Sequence, residues 1–203
     1  MDRRLFVGFP IVVDSSLTAA LKRTRISADK KEMEIDWVPG ANYHITLCFL
    51  GPVGEEQRPI VDRILENVAA SSPPISTSIR GLGAFPDDHH MRVLWAGVRK
   101  SRALTGLQER LQDALVAEGF RRDERDFVPH LTLGRLKKMR SGKDLLSPYV
   151  RTSFGDVDIK EIVLYESLIH GSRPRYEPLR RFELGGVVEE ADDAVGALFA
   201  PAF

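Results

Sequence analysis

Two short stretches of this sequence carry the same combination of side chains. The stretch "YHITLCFL" contains His44 and Thr46, and the stretch "PHLTLGRL" contains His130 and Thr132. Both are rich in residues that favour β-strands, in which successive side chains point to opposite faces. The alternation predicts that each histidine shares a face with its threonine, opposite an apolar face. One such pair in a strand is usually structural, but two copies with matched neighbours indicate a shared role.

The two histidines and two threonines are suited to chemistry on a phosphodiester. Displacement at phosphorus is in line, so the base that activates the nucleophile and the acid that protonates the leaving oxygen belong on opposite sides of phosphorus. Histidine, with an unperturbed pKa of ~6.5, serves in either role near neutral pH. Threonine hydroxyls donate hydrogen bonds to non-bridging oxygens. If both strands face one cleft, the sequence predicts acid–base cleavage that needs no metal and no cofactor.

Arg135 is a further candidate, because it follows the second motif and a guanidinium binds phosphate well. Strict alternation places it on the face opposite Thr132, so a bulge or the end of the strand would have to redirect it. Two interpretations stay open: a ligand of a phosphate or a base, and a surface arginine exposed to solvent. Arg173, Arg175 and Tyr176 are candidates to line the approach of a nucleic acid.

The stretch "DDHH" at residues 87–90 is the one cluster whose side chains are of types that ligate divalent metals. It lies in a predicted turn, where neither helical nor strand spacing would bring the four side chains together. We therefore expect no metal site there.

The rest of the pattern predicts the elements that hold the motif strands. Apolar runs bounded by turn residues indicate strands, and apolar residues at helical spacing indicate helices. The expected strands are 5–9, 75–79, 91–98, 159–169 and 176–184, and the expected helices start at Ser15 or Ser16, span 55–70, and run from 104 to Gly119. Strands outnumber helices and several follow one another directly, which favours α+β with antiparallel sheets. One His-Thr strand in each half of the chain indicates a weak repeat and two lobes that face each other.

Composition narrows the range of functions. At 203 residues the chain is long enough to bury a core, and its 29 basic residues balance 29 acidic residues. A neutral total argues against broad attraction to duplex nucleic acid, although a local basic groove stays open. Cys48 is the single cysteine and is interpreted as a small packed side chain, which agrees with a reducing compartment. Because neither a signal-peptide pattern nor a membrane-spanning run is found, we expect a cytoplasmic protein without a membrane partner. We also expect a monomer.

The sequence resembles the 2H phosphoesterases, a superfamily defined by two His-x-Thr/Ser-x motifs. Within it, the chain looks like the bacterial and archaeal RNA 2',3'-cyclic phosphodiesterases, historically called 2'-5' RNA ligases. The resemblance runs from about Arg4 to Leu184 through "RLFVGFP", "NYHITLCFLG", "GLGAFPDDHHMRVLWAGV", "FVPHLTLGR" and "YESLIHGSRPRYEPLRRFEL". Residues 186–203 lie outside the pattern, so we expect one bilobal domain over residues 1–185 and a tail.

The resemblance implies an α+β fold of two pseudo-symmetric lobes of antiparallel sheet, with helices packed outside and a central cleft. It also implies hydrolysis of RNA 2',3'-cyclic phosphate ends to 2'-phosphate, with possible reversible 2'-5' RNA ligation. By that likeness His44 protonates the departing 3' oxygen, His130 activates water, and the phosphate is bound by Thr46, Thr132 and Arg135. Two alternatives stay open: a 2H phosphodiesterase for another cyclic or 2'-5' linked nucleotide, and an RNA-end binding module without turnover.

Overall fold

The computed structural model describes residues 2–170 and 173–185 of the chain. The predicted tail, residues 186–203, lies outside the described residues. The helices are α1 (Ser15–Lys30), α2 (Arg58–Ala70), α3 (Arg102–Ala117) and α4 (Lys143–Leu146). The strands are β1 (Arg3–Pro10), β2 (Ile35–Trp37), β3 (His44–Val53), β4 (Ile75–Phe85), β5 (Met91–Val98), β6 (His130–Arg140), β7 (Ser153–Ile159), β8 (Glu161–His170) and β9 (Arg173–Glu183).

The strands within the described residues form one nine-stranded sheet in which every pair is antiparallel. The order is β7-β4-β5-β6-β3-β1-β8-β9, and β2 pairs with β6. The motif strands β3 and β6 are therefore neighbours at the centre, and three further strands extend from each in matching order. This symmetric arrangement confirms the expected α+β architecture of two antiparallel lobes.

Each lobe has its own helices. In the first lobe (β3, β1, β8 and β9), α2 packs on β8 and β9 while α3 packs on α2 and β3. In the second lobe (β6, β5, β4, β7 and β2), α1 packs on α4 and β7. The helix α1 follows a strand of the first lobe, and α3 follows a strand of the second, so the chain crosses between lobes. The lobes are therefore interleaved in sequence and do not correspond to the two halves of the chain.

The start of α1 differs in detail from the expectation. Asp14, and not Ser15 or Ser16, caps the helix: its carboxylate accepts hydrogen bonds from the backbone N–H groups of Ser16 and Leu17 at 2.9 and 3.0 Å. Among the described residues, no helix is both long enough and apolar enough to cross a bilayer.

The glycine-rich stretch "GLGAFPDDHH", residues 81–90, is expected from its sequence to be a turn that follows a strand over 75–79. The structure continues β4 as far as Phe85, so the turn is shorter than expected. The sheet requires a glycine there, because the Trp95 ring of the neighbouring strand lies directly over Gly83. A Cβ atom at position 83 would be 2.1 Å from that ring. The missing side chain thus makes room for the Trp95 indole on the sheet surface.

The sheet is covered by apolar side chains on both faces in the first lobe. The main core is continuous through both lobes and includes Leu5, Val7 and Phe9 of β1. A second, smaller cluster on the other face contains Phe6 and Tyr165. Because β1 is buried on both faces, the surface beside the first motif is made of aromatic rings.

Candidate active site

The two motif strands meet at the centre of the sheet. Ile45 of β3 lies opposite Leu131 of β6, and both side chains are fully buried in the core. The histidine and threonine that flank each buried residue therefore project from the opposite face. Continuing the register by one residue sets each histidine across from the threonine of the other motif. The two histidines then stand on a diagonal, a relation in which residues are roughly 7–8 Å apart.

Both histidines are held by the same hydrogen bond. Nδ1 of His44 lies 2.7 Å from the carbonyl oxygen of Asn42, and Nδ1 of His130 lies 2.7 Å from the carbonyl oxygen of Val128. A carbonyl oxygen only accepts hydrogen bonds, so Nδ1 is the donor in each ring. Nε2 is then the nitrogen of each ring that is available to accept or donate a proton.

His44 is packed among aromatic rings of the first lobe. Its ring centroid lies 4.8 Å from that of Tyr176 in an edge-on contact, 5.0 Å from that of Phe6 and 5.7 Å from that of Tyr165. Tyr165 in turn stacks on Phe6 with ring centroids 5.0 Å apart. These contacts fix the plane of the imidazole beside the cleft.

His130 has a similar aromatic support from the second lobe. The Phe85 ring meets it edge-on with centroids 4.9 Å apart, and the Trp95 ring lies 6.4 Å away. Phe85 and Trp95 also contact each other, with centroids 5.3 Å apart. Each lobe thus holds its histidine with a backbone carbonyl on one side and aromatic rings on another.

The environment lowers the pKa of both imidazoles. Burial is the largest cause for each ring, because it disfavours the charged form, and the hydrogen bond to the carbonyl oxygen acts in the opposite direction. The positive charge of Arg135 lowers the pKa of both His44 and His130, and His130 also lowers the pKa of His44. One guanidinium therefore acts on both rings.

Three further polar groups at this site have no partner within the part of the chain that the structure describes. The hydroxyls of Thr46 and Thr132 make no hydrogen bond there, and both residues are partly buried. The guanidinium of Arg135 is exposed and makes neither a hydrogen bond nor an ion pair with any described residue. These groups are hydrogen-bond donors that an anionic ligand can use.

A β-bulge turns Arg135 toward the motif face. Thr132 and Gly134 lie opposite consecutive residues of β5, so Leu133 between them has no partner residue on that strand. The extra residue inverts the alternation beyond it, which puts Arg135 on the same face as Thr132. The redirection that strict alternation required is therefore present in β6.

The first motif strand contains the matching bulge. Thr46 and Cys48 lie opposite consecutive residues of β1, so Leu47 has no partner. Beyond it Cys48 turns into the core, where burial raises the pKa of its thiol to about 12, and Phe49 becomes 59% exposed. Strict alternation along the first motif predicts that Cys48 shares the face of His44, and this prediction is wrong because of the bulge. Its interpretation as a packed side chain is confirmed.

The turn at residues 87–90 is organised by its own carboxylate. Asp87 accepts hydrogen bonds from the backbone N–H groups of His89 and His90, both at 2.8 Å, and lies 3.1 Å from Nδ1 of His90. Within residues 2–170 and 173–185, no group of three or more histidine, cysteine, aspartate or glutamate side chains is placed to hold a metal ion. Asp87 therefore has a structural role in the turn.

Three residues were candidates to line a nucleic-acid approach. Tyr176 contacts His44 directly and so belongs to the site. Arg175 is exposed and pairs with Glu177 at 3.4 Å, and the side chain of Arg173 lies outside the described residues.

Comparison with known proteins identifies the family. The family model described as the 2'-5' RNA ligase superfamily matches residues 13–168. The chain belongs to this superfamily. The RNA 2',3'-cyclic phosphodiesterase of Archaeoglobus fulgidus is 36% identical over 89% of this chain and 99% of its own length. The Aquifex aeolicus protein of the same name is 33% identical over 90% of this chain and 98% of its own.

Two solved structures share the fold of this chain. The Thermus thermophilus protein TT0787 superposes with a TM-score of 0.72 and 25% identity, covering 90% of this chain and 98% of that protein. Escherichia coli LigT complexed with 3'-AMP superposes with a TM-score of 0.69 and 24% identity, covering 91% of this chain and 99% of LigT. The resemblance to 2H phosphoesterases and the expected fold are thus confirmed.

Sequence reasoning missed the aromatic rings around the motif histidines. Phe6 and Tyr165 lie in runs that were interpreted only as apolar strands, and Trp95 lies in another. Phe85 lies in a stretch that was interpreted as a turn. An available signal was that aromatic residues occur in each strand next to a motif strand, but their face could not be known without the pairing.

Proposed function

We propose that this protein hydrolyses RNA 2',3'-cyclic phosphate ends to 2'-phosphates by acid–base catalysis with two histidines. The observation that carries this proposal is the pairing of two imidazoles, each with Nε2 left available, with two threonine hydroxyls that have no partner within the described residues. An anionic phosphorus centre between the rings would meet a base on one side, an acid on the other, and donors for its oxygens.

The proposed reaction has one chemical step. Nε2 of His130 takes a proton from water as the water oxygen attacks phosphorus, and the bond between phosphorus and the 3' oxygen breaks. Nε2 of His44 gives its proton to that oxygen, which leaves a 3' hydroxyl and a 2'-phosphate. Thr46, Thr132 and Arg135 bind the non-bridging oxygens. The assignment of acid and base follows the resemblance to the family.

The same site is proposed to support 2'-5' ligation when a 5' hydroxyl takes the place of water. Both motifs come from one chain, which supports action as a monomer. A cytoplasmic location stays a prediction from the sequence. The RNA substrate is supported by relatives named RNA 2',3'-cyclic phosphodiesterase that match nearly the whole of their own length.

The test offers purified protein an oligoribonucleotide that ends in a 2',3'-cyclic phosphate, with EDTA present. We expect a 2'-phosphate product. His44→Ala and His130→Ala should each lower kcat by roughly 10²–10⁴-fold, the usual contribution of one general acid or base. The double variant should lose far less than the product of the two effects, because the histidines act as a unit.

The matched control is His89→Ala, which removes an exposed histidine from the 87–90 turn and should leave kcat unchanged. Full activity in either motif variant would contradict the mechanism. Loss of activity in EDTA that one divalent metal restores would do the same. Binding of the cyclic end without turnover would favour the RNA-end binding module, and turnover of other cyclic or 2'-5' linked nucleotides alone would favour the second enzymatic alternative.

A further inference from the structure

The face of the sheet that carries the two motifs continues past His130 into the second lobe. Gly97 of β5 lies directly opposite His130, and its neighbours Ala96 and Val98 are buried in the core. Position 97 therefore belongs to the motif face, where a glycine contributes no side chain. Gly97 is partly exposed to solvent, and we call the area over it the Gly97 surface.

The Gly97 surface has a defined border on three sides. His130 stands on one side, and on the other a bulge in β4 sets both Arg80 and Gly81 opposite Gly97. A Cβ atom at position 97 would lie 2.6 Å from the carbonyl oxygen of Arg80 and 3.3 Å from the edge of the Trp95 ring. Because the close backbone of β4 requires a glycine here, no side chain separates the catalytic imidazole from the outer strands of this lobe.

Arg99 stands at the remaining end of the Gly97 surface. Its backbone N–H donates a hydrogen bond to the carbonyl oxygen of Ser78 at 2.9 Å, which continues the pairing of β5 with β4 one residue beyond Val98. Because Val98 is buried, the Arg99 side chain projects from the motif face. Arg99 and His130 are diagonal neighbours, a relation in which residues are roughly 7–8 Å apart. The Arg99 guanidinium is exposed and pairs with no described residue.

The carboxylates on this face lie further from the site. Asp156 of the edge strand β7 lies opposite Ser78, and Asp158 lies opposite Ser76, whose hydroxyl donates a hydrogen bond to it at 2.7 Å. Both are one strand beyond β4, whereas Arg99 is on the strand next to the second motif. A polyanion that enters from the site therefore meets a cation first and carboxylates at the outer edge. This order of charges favours a single phosphate contact, at Arg99.

The reaction proposed above gives this side of the site to the nucleophile. Displacement at phosphorus is in line, so the leaving 3' oxygen at His44 and the attacking oxygen at His130 lie on opposite sides of phosphorus. Water needs no room beyond the imidazole. In ligation the attacking oxygen is the 5' hydroxyl of a second RNA, and the rest of that strand has to lie on the His130 side.

We propose that the Gly97 surface binds the RNA strand that carries the 5' hydroxyl in 2'-5' ligation. The first sugar of that strand lies over Gly97, with its 5' oxygen at Nε2 of His130, and its first phosphodiester lies at Arg99. The 5' hydroxyl gives its proton to His130 as its oxygen bonds to phosphorus. The bond between phosphorus and the 3' oxygen breaks, and that oxygen takes the proton of His44. This inference rests on the proposed function and adds a binding surface for a second polynucleotide.

The reverse reaction gives the sharper test, because a single substrate then occupies both sides of the site. One substrate is a dinucleotide joined by a 2'-5' linkage, and the other is the same dinucleotide extended at its 3' end by one ordinary phosphodiester and a third nucleoside. Wild-type kcat/KM for cleavage of the 2'-5' linkage should be about two- to fivefold higher on the extended substrate, the range of an exposed ion pair. This gain should shrink as the salt concentration rises.

Substitutions of Arg99 should act on this gain alone. R99Q should remove it, R99K should keep most of it, and R99E should make the extended substrate the poorer one. R99Q should leave hydrolysis of a 2',3'-cyclic mononucleotide unchanged, since that reaction leaves the Gly97 surface empty. The matched control is R4Q, which removes an exposed arginine near the end of β1 that lies away from His44 and should behave as wild type.

A gain that persists in R99Q, or that is missing in the wild-type protein, would overturn the assignment of the Gly97 surface. Hydrolysis of cyclic ends without any cleavage of the 2'-5' linkage would overturn it too. If R99Q slows hydrolysis of a hexaribonucleotide that ends in a cyclic phosphate, the cyclic strand occupies the surface and the proposal is wrong. A wild-type protein that does not hydrolyse cyclic ends would refute the proposed function, so the parallel hydrolysis assay tells the two failures apart.

Discussion

At the scale of single residues, the protonation of two imidazoles determines what the site can do. Burial and Arg135 both disfavour imidazolium, so the pKa of each motif histidine lies below its usual value of ~6.5. The proposed mechanism needs one ring neutral and one protonated, which predicts a rate that rises and then falls with pH. Because both pKa values are lowered, we expect the maximum of kcat/KM on the acid side of ~6.5.

Replacing Arg135 with glutamine should raise the pKa of both histidines. The guanidinium repels the charged form of each ring, so its removal lets both rings hold their protons to higher pH. Both limbs of the pH–rate profile should move to higher pH, and NMR titration of the imidazoles in the free protein should show the same direction. Lys137→Gln is the control, since Lys137 lies further along β6 and pairs with Glu34 at 3.2 Å. Unchanged titration of both histidines in Arg135→Gln would show that the guanidinium does not act on the site.

At the scale of elements, the two bulges separate what the sequence could predict from what it could not. Alternation along a strand correctly predicts a shared face for His130 and Thr132, because no irregularity lies between them. The prediction from alternation fails beyond Leu47 in the first motif and beyond Leu133 in the second. Each leucine is the extra residue of a bulge, so the side chains that follow it point to the opposite face from the one expected. A bulge depends on pairing with a neighbouring strand, and a single strand's sequence does not reveal that pairing. Arg135 and Phe49 could be assigned to the motif face only from the structure.

The contact between β1 and β3 depends on a glycine beside the first bulge. A Cβ atom at Gly8 would lie 2.4 Å from the carbonyl oxygen of Ile45, so the two strands can approach only if residue 8 has no side chain. Gly8→Ala should lower the free energy of unfolding by about 1–3 kcal/mol, in the range of overpacked sites, and should lower kcat because β3 carries His44. Urea unfolding and the cyclic-phosphate assay measure the two effects.

The control for this substitution is Gly106→Ala in the middle of α3. There a new Cβ atom meets only the far end of the Arg110 side chain at 3.3 Å, and alanine favours the helix by up to about 1 kcal/mol. Gly8→Ala should therefore lower the free energy of unfolding, and Gly106→Ala should raise it. A Gly8→Ala protein as stable as wild type would show that β1 and β3 have more room than the register implies.

At the scale of the whole molecule, the fold class could be predicted from the sequence, but the set of helices and strands that forms each lobe could not. The count of strands and the repeated motif predict two antiparallel lobes, and the structure has them. The repeat also suggested one lobe per half of the chain, whereas α1 packs on the second lobe and α3 on the first. Which lobe a helix covers depends on contacts between segments far apart in sequence, and its own amphipathic pattern fits either sheet.

Interleaving of the chain has a consequence for unfolding. Both tryptophans of the chain, Trp37 and Trp95, lie in strands of the second lobe, so their fluorescence reports that lobe alone. Because the core is continuous and each lobe is built from segments on both sides of the other, neither lobe should unfold alone. The two lobes should therefore respond together to damage in one of them.

Leu164→Ala tests this coupling, since Leu164 is fully buried in β8 of the first lobe. A cavity at this position should cost about 2–5 kcal/mol. If the lobes unfold as one unit, the urea midpoint followed by tryptophan fluorescence in the second lobe should fall as far as the midpoint followed by far-UV circular dichroism. Val12→Ala, at a position that is 92% exposed, should move neither midpoint. If the fluorescence midpoint stays at the wild-type value while the dichroism midpoint falls, the second lobe remains folded when the first lobe unfolds. That result would show that the crossing helices do not couple the two lobes.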